Sequence, residues 1–202
     1  MGTRQTNQTT IDASDPKDER RQAIITAAFE TFSSYGFKRT SMDDIASAAQ
    51  ISRPALYNSF ANKADIFRAG VLSMLEERRT ISDQAIESGR PLPDLLRQLV
   101  EIWVLEPHRM LLAKPHGLEM LGLKNDFAPD EFDQWKIAKT EALVTALTRF
   151  GKFDSSQADD VASTMVSVFE GIKSTEQPIE QIEQQIDALL RVVTRLPGVD
   201  AS

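Results

Sequence analysis

Between Ile45 and Phe60 the chain reads IASAAQISRPALYNSF, and two helical patterns meet there across Gln50, Ile51 and Ser52. Before the junction, Met42, Ile45, Ala46 and Ala49 follow i, i+3, i+4, i+7 and share one helix face. After it, Leu56 and Phe60 resume helical spacing directly behind Pro54. A proline inside a helix breaks it, but in the first turn it costs little, because the N–H it lacks would have no partner there. Ser52 is a good N-cap, which puts Arg53 and Pro54 at the first two helical positions. The chain is therefore expected to end one helix and begin another within a tight turn. Upstream, Thr40 or Ser41 caps the earlier helix, with Asp43 or Asp44 three residues on in capping-box spacing.

Periodicity extends this reading along the chain. Residues 1–16 are polar and aperiodic, and a flexible tail is expected. From Lys17, Ile24, Ile25, Ala28, Phe29 and Phe32 mark a helix that Gly36 closes. Another helix opens near Lys63 and runs to the high 80s, with Ile66, Phe67, Val71, Met74 and Leu75 inside. ESGRPLPD (87–94) is the clearest break, with one glycine and two prolines. Helical patterns then cover 94–106, 107–122, 129–150, 156–173 and 178–196, with breaks at GLKNDFAP, FGKFDSS and STEQP. No alternating strand pattern and no internal repeat interrupts them. The expected fold is all-α, with about nine helices.

Composition sets outer limits. Hydrophobic residues are 41% of the 202, enough for a core, and there is no cysteine, which excludes disulfides and thiolate chemistry. No apolar run approaches the length of about 18 residues that a membrane span needs, and the N-terminus lacks the apolar centre of a secretory signal. A soluble, cytoplasmic protein with no membrane partner is expected. The net charge of −7 is unevenly spread. Residues 1–69 carry 9 of the 23 Lys/Arg and 8 of the 30 Asp/Glu, leaving 14 and 22 for the rest. An acidic body weakens non-specific contact with phosphates without forbidding a local site.

Two capped helices across a short turn make a helix-turn-helix, whose second helix in DNA-binding versions enters the major groove N-terminus first. Positions 52–58 suit that use. The helix start at Ser52 offers free N–H groups to phosphates. Arg53 can fork onto guanine, and Asn58 can pair with adenine or hold a phosphate. Tyr57 can bond a phosphate or lie against sugar and thymine methyl, and Ala55 permits close approach. Leu56 and Phe60 point inward as anchors. The same pattern also fits a plain helical hairpin with a solvated face.

Positions 17–67 resemble the N-terminal domain of the TetR family of bacterial transcriptional regulators. The resemblance rests on Phe32, Tyr35 and Gly36, then Thr40, then Asp44-Ile45-Ala46, then Ile51-Ser52, then Leu56-Tyr57, Phe60 and Lys63. It implies a DNA-binding domain at 17–68 and a helical effector-binding and dimerisation domain at 69–202. It further implies phosphate contacts from Thr40 or Ser41, Tyr57 and Lys63, with Arg53, Pro54, Ala55 and Asn58 at base edges or adjacent backbone. Two positions depart from the family pattern. Gln50 replaces the common turn glycine, at a cost of about 1 kcal/mol if it is left-handed, and Ser59 replaces a bulky or basic residue.

In the C-terminal part, Ala158, Val161, Met165, Val168 and Ile172 are spaced 3, 4, 3, 4, and Ile182, Ile186, Leu189, Val193 and Leu196 are spaced 4, 3, 4, 3. Such spacing suits helices packed at shallow angles, either within one chain or against a second copy. The family resemblance implies the second, with Val161, Met165, Val168, Ile172, Ile182, Ile186, Leu189 and Val193 at a homodimer interface. It also implies an effector pocket among Trp103, Met110, Met120, Phe127, Phe132, Trp135, Met165 and Phe169. His108 and His116 are further polar pocket candidates, and Pro115 between them disfavours a shared metal. No cofactor or enzyme motif is present. The implied protein is a ligand-responsive regulator, a repressor on a palindromic operator released by a small, largely apolar effector. The alternative is an all-α interaction module whose helix-turn-helix no longer binds DNA.

Overall fold

The computed structural model describes residues 15–173, 177–197 and 199, so most of the expected N-terminal tail and the first three residues of STEQP lie outside the described residues. Ten α-helices follow in order: α1 Pro16–Tyr35, α2 Met42–Ala48, α3 Arg53–Tyr57, α4 Lys63–Glu87, α5 Leu92–Val100, α6 Glu106–Leu112, α7 Gly117–Phe127, α8 Pro129–Phe150, α9 Ser155–Lys173 and α10 Ile179–Val193. A π-helical turn, Glu101–Leu105, joins α5 to α6 without a gap, so the ten segments make nine rods. No strand occurs among the described residues, and none of the helices is long and apolar enough to cross a membrane.

Prolines mark where helices begin. Pro16, Pro54 and Pro129 lie in first turns, where a missing N–H leaves no ladder bond unmade. Two expected breaks are corrected by this rule and its one exception. At GLKNDFAP, α7 continues to Phe127 and only Ala128 separates it from α8, because Pro129 opens a helix. At 106/107 no break occurs although Pro107 lies inside a continuous rod. The π turn before it widens the backbone, and Glu106 N–H bonds Glu101 O, five residues back. The break falls instead at 113–116, between α6 and α7.

Helices α1 to α3 and the start of α4 enclose an aromatic cluster. Phe29 stacks on Phe67 at 5.5 Å, and Phe32 meets Phe37 at 4.9 Å. Gly70 lets α4 approach α1 so closely that a Cβ there would lie 2.1 Å from the Phe29 ring. The boundary expected at 68/69 falls inside α4, which packs on α1 and continues against α5 and α8. Phe127 of α7 reaches into the same cluster, 5.0 Å from Phe37 and 5.8 Å from Phe67. The C-terminal helices therefore touch the N-terminal unit through side chains as well as through α4.

Candidate nucleic-acid interface

Each helix of the α2–α3 pair is fixed by its own cap. Ser41 Oγ accepts from Asp44 N at 3.2 Å, and Asp44 Oδ2 accepts from Ser41 N at 2.8 Å, completing the capping box. The Ser41 hydroxyl and amide hold the Asp44 carboxyl below its ordinary pKa. Gln50 adopts φ 56°, the one non-glycine residue with positive φ among those described, so the turn does require the left-handed conformation. Ser52 Oγ then accepts from Ala55 N at 3.3 Å and caps α3. Leu56 is fully buried and Phe60 nearly so, which anchors α3 from beneath.

The opposite face of α3 is open. Ser52, Arg53, Pro54, Tyr57 and Asn58 are exposed and Ala55 is half-buried. Asn58 follows the five-residue helix as its C-cap. Arg53 lies 5.7 Å from the Tyr57 ring centroid, and its Nη1 donates to Asp43 Oδ2 at 3.2 Å. Tyr57 first, and Asp43 second, raise the guanidinium pKa above its ordinary value. The face thus presents one permanent cation, a phenol and an amide on a rigidly seated helix.

Two residues expected at phosphates have partners within the chain. Thr40 is buried and its Oγ1 donates to Gly36 O at 2.9 Å, so its hydroxyl serves the α1–α2 turn. Lys63 Nζ donates to Phe37 O at 2.7 Å, Thr40 O at 2.8 Å and Lys38 O at 3.3 Å. Three carbonyls saturate an ammonium, so Lys63 clamps that same turn. Arg21, not picked out from the sequence, supports α3 from behind. Its Nη1 donates to Ser59 O at 3.0 Å and its guanidinium lies 4.1 Å over the Phe60 ring. Arg21 and Ser59 are 38 positions apart, which leaves no local signal for this contact.

The expected pocket residues do not converge on one cavity. Met110 is 62% exposed on α6 and cannot line an interior site. Phe127 belongs to the aromatic cluster described above. His116 precedes α7, where its N–H donates to Ser33 O of α1 at 2.9 Å. His108, Met120, Met165 and Phe169 are buried, and Phe132 is partly buried against the core. Trp103 and Trp135 meet edge to face at 6.3 Å. Both reach a cleft of about 580 Å³ between α4 and α8, which Ser82, Ile86, Ala138 and Ala142 also line. Trp103 Nε1 donates to Ser82 Oγ at 2.7 Å at its floor. No group of three metal-ligating side chains exists among the described residues.

Five of the eight expected dimer residues pack within their own chain. Met165, Ile172, Ile182, Ile186 and Val193 are at most 6% exposed and belong to the core of their own chain. Val161, Val168 and Leu189 lie at its margin. Among the residues that α9 and α10 leave exposed are Ser163, Ser167, Gly171, Gln181, Gln185, Ala188 and Val192, together with charged Asp159, Asp160, Glu180 and Arg191.

Comparison with known proteins agrees with this geometry. A family model described as "Bacterial regulatory proteins, tetR family" matches residues 24–69. The HTH-type transcriptional regulator YhgD of Bacillus subtilis is 32% identical over 73 residues, 36% of this chain and 38% of that one. The chain thus aligns with little more than a third of that relative. The HTH-type transcriptional activator FasR of Mycolicibacterium smegmatis is 26% identical over 158 residues, 76% of this chain and 70% of that one. A crystal structure of a transcriptional regulator from Cytophaga hutchinsonii superposes with a TM-score of 0.67 at 21% identity, covering 85% of this chain and 94% of that one, which shows a shared fold.

Proposed function

The chain belongs to the tetR family of bacterial regulatory proteins, and on that premise we propose that it is a ligand-responsive repressor, bound as a homodimer to a palindromic operator and released by a small, largely apolar effector. Its homologues are transcriptional regulators with a helix-turn-helix DNA-binding domain, and it is not an enzyme. The observation that carries the reading is the division of α3. Leu56 is sealed in the core while Arg53, Tyr57 and Asn58 stand exposed together. A buried anchor beneath a polar row is what insertion into a groove requires. Operator binding of this kind places the protein in the cytoplasm.

Dimerisation follows from reach. One α3 of five residues contacts few base pairs, and two copies separated by about 34 Å or more read a palindrome. The outward faces of α9 and α10 provide the surface, with Val161, Val168 and Leu189 at its edge and Val192 exposed. The effector enters by the cleft at Trp103 and Trp135, where the two rings and Ile86 offer apolar contact and Arg79, Asp83, Glu141 and Arg149 add charged groups. A 100-fold loss of operator affinity on release corresponds to a coupling of about 2.7 kcal/mol.

The test is fluorescence anisotropy of the protein on DNA from its own upstream region over a salt titration. One palindromic fragment bound far above random DNA, with binding lost in Arg53→Ala and Tyr57→Ala, supports the reading. Wild-type affinity and preference in both variants would remove it. Activation is the second reading, and one observation favours it: FasR, similar over 76% of this chain, bears the name activator. A reporter gene behind the bound fragment separates the two by the direction of change when the protein is deleted.

A further inference from the structure

Asp43 is out of place in a surface that meets phosphates. It is an exposed carboxylate beside the recognition helix, and it repels the DNA backbone. Its geometry gives it another use. Arg53 Nη1 donates to Asp43 Oδ2 at 3.2 Å, and Arg53 Nε lies 3.1 Å from Oδ1. The Tyr57 ring stands on the same guanidinium at 5.7 Å. A long, mobile side chain is therefore held by α2 on one edge and by α3 on its face.

We infer that Asp43 is a positioning residue for base reading: it orients the Arg53 guanidinium so that its remaining donors meet the O6 and N7 of one guanine in each half-site. The inference rests on the DNA-binding function proposed above. A guanidinium has five N–H donors in one plane. Counting both close contacts to Asp43 as occupied, three remain, including both on Nη2. Two parallel donors are what guanine requires. Without Asp43 the side chain would lose rotamer freedom only on meeting DNA, and that cost would fall on the correct base. The carboxylate thus exchanges general attraction to DNA for selectivity. Sequence spacing alone does not suggest it, since Asp43 and Arg53 are ten positions apart on either side of the turn.

The opposing effects make the inference testable with Asp43→Asn, Asp43→Glu and the double variant Asp43→Asn/Arg53→Ala. Each is used in random-sequence selection and in anisotropy on the selected site, on that site with the guanine replaced, and on random DNA. Asp43→Asn is expected to lower the preference for guanine at one position per half-site by about tenfold, the low end of what a bidentate contact discriminates. Its binding to random DNA holds or rises. Asp43→Glu recovers part of the preference, and Asp43→Asn changes nothing further once Arg53 is absent. The melting temperature of Asp43→Asn serves as the folding control and stays near wild type, because exposed ion pairs contribute little to stability. An unchanged guanine preference, with binding to all DNA rising equally, would mean that Asp43 acts only as a charge. An effect that persists without Arg53 would equally overturn the inference. If the wild type selects no motif, the DNA-binding reading fails and this inference with it. If the wild type selects one and Asp43→Asn reproduces it, this inference alone fails.

Discussion

Arg78 of α4 donates from Nη1 to the main-chain carbonyl of Ile102, 2.5 Å away in the π turn. In π register each N–H bonds the carbonyl five residues back, as Glu106 does with Glu101. The next amide in that register belongs to Pro107 and has no N–H. The Ile102 carbonyl would be left without its donor, and Arg78 supplies one from another helix. Burial lowers the Arg78 pKa from its ordinary value, with Glu106 3.7 Å away opposing the shift, and the group stays charged at neutral pH.

Arg78→Ala therefore leaves a main-chain acceptor unsatisfied and is expected to cost about 1–3 kcal/mol in urea unfolding. Pro107→Ala returns an N–H to the rod. The double variant should then lose less than the sum of the two single losses. Strict additivity would mean that proline and arginine are unconnected.

Lys63 offers a prediction that separates two roles. If its ammonium serves the α1–α2 turn through Phe37, Lys38 and Thr40 carbonyls, Lys63→Met destabilises the fold by about 1.5–3 kcal/mol, the range for charged hydrogen bonds. Hydrogen exchange at residues 37–40 then accelerates. The salt dependence of operator binding keeps its slope. A phosphate contact would instead show as a slope reduced by about 0.9.

These cases show what could be read from the sequence. Signals confined to a few residues were legible: the Ser41/Asp44 box, the Ser52 cap and Pro54 as a helix opener. The left-handed Gln50 was marked only by the resemblance, which puts a common turn glycine at that position. Contacts made across the fold were not. Lys63 and Arg21 spend their charges on carbonyls 23 to 38 residues away, and no local pattern encodes that. The division expected at 106/107 does not occur, because a π turn and a distant arginine together absorb Pro107. The a/d spacing of α9 and α10 correctly marked burial at Met165, Ile182 and Ile186, but periodicity does not name the surface that does the burying.

The capping box predicts a pH effect of defined sign. Asp44 has a folded pKa below its ordinary 3.8. Its stabilising contribution is therefore complete above that value and is lost as pH falls through the lower folded pKa. Ser41→Ala removes the hydroxyl that accepts from Asp44 N and donates to its carboxylate. The variant should melt below wild type at pH 7, and the gap should narrow under strongly acidic conditions. A gap that is constant down to pH 2 would show that the depressed pKa has another source.

The end of α1 is where the α6–α7 connection docks, and Gly36 makes room for it. Gly36 has φ 88°, and a Cβ there would stand 3.1 Å from Glu119 Oε2 and 3.4 Å from His116 Nδ1. Gly89 supplies the comparison, with φ 69° and nothing within 4 Å of such a Cβ. Alanine at either site meets backbone strain on the order of 1–2 kcal/mol, but only at Gly36 must it also displace the side chains that follow the His116 to Ser33 bond. Gly36→Ala is thus expected to lose more in urea unfolding than Gly89→Ala, and Gly36→Ala combined with Glu119→Ala should recover part of the difference. Equal losses at the two glycines would mean that strain alone selects glycine at 36, and that the docked connection yields freely.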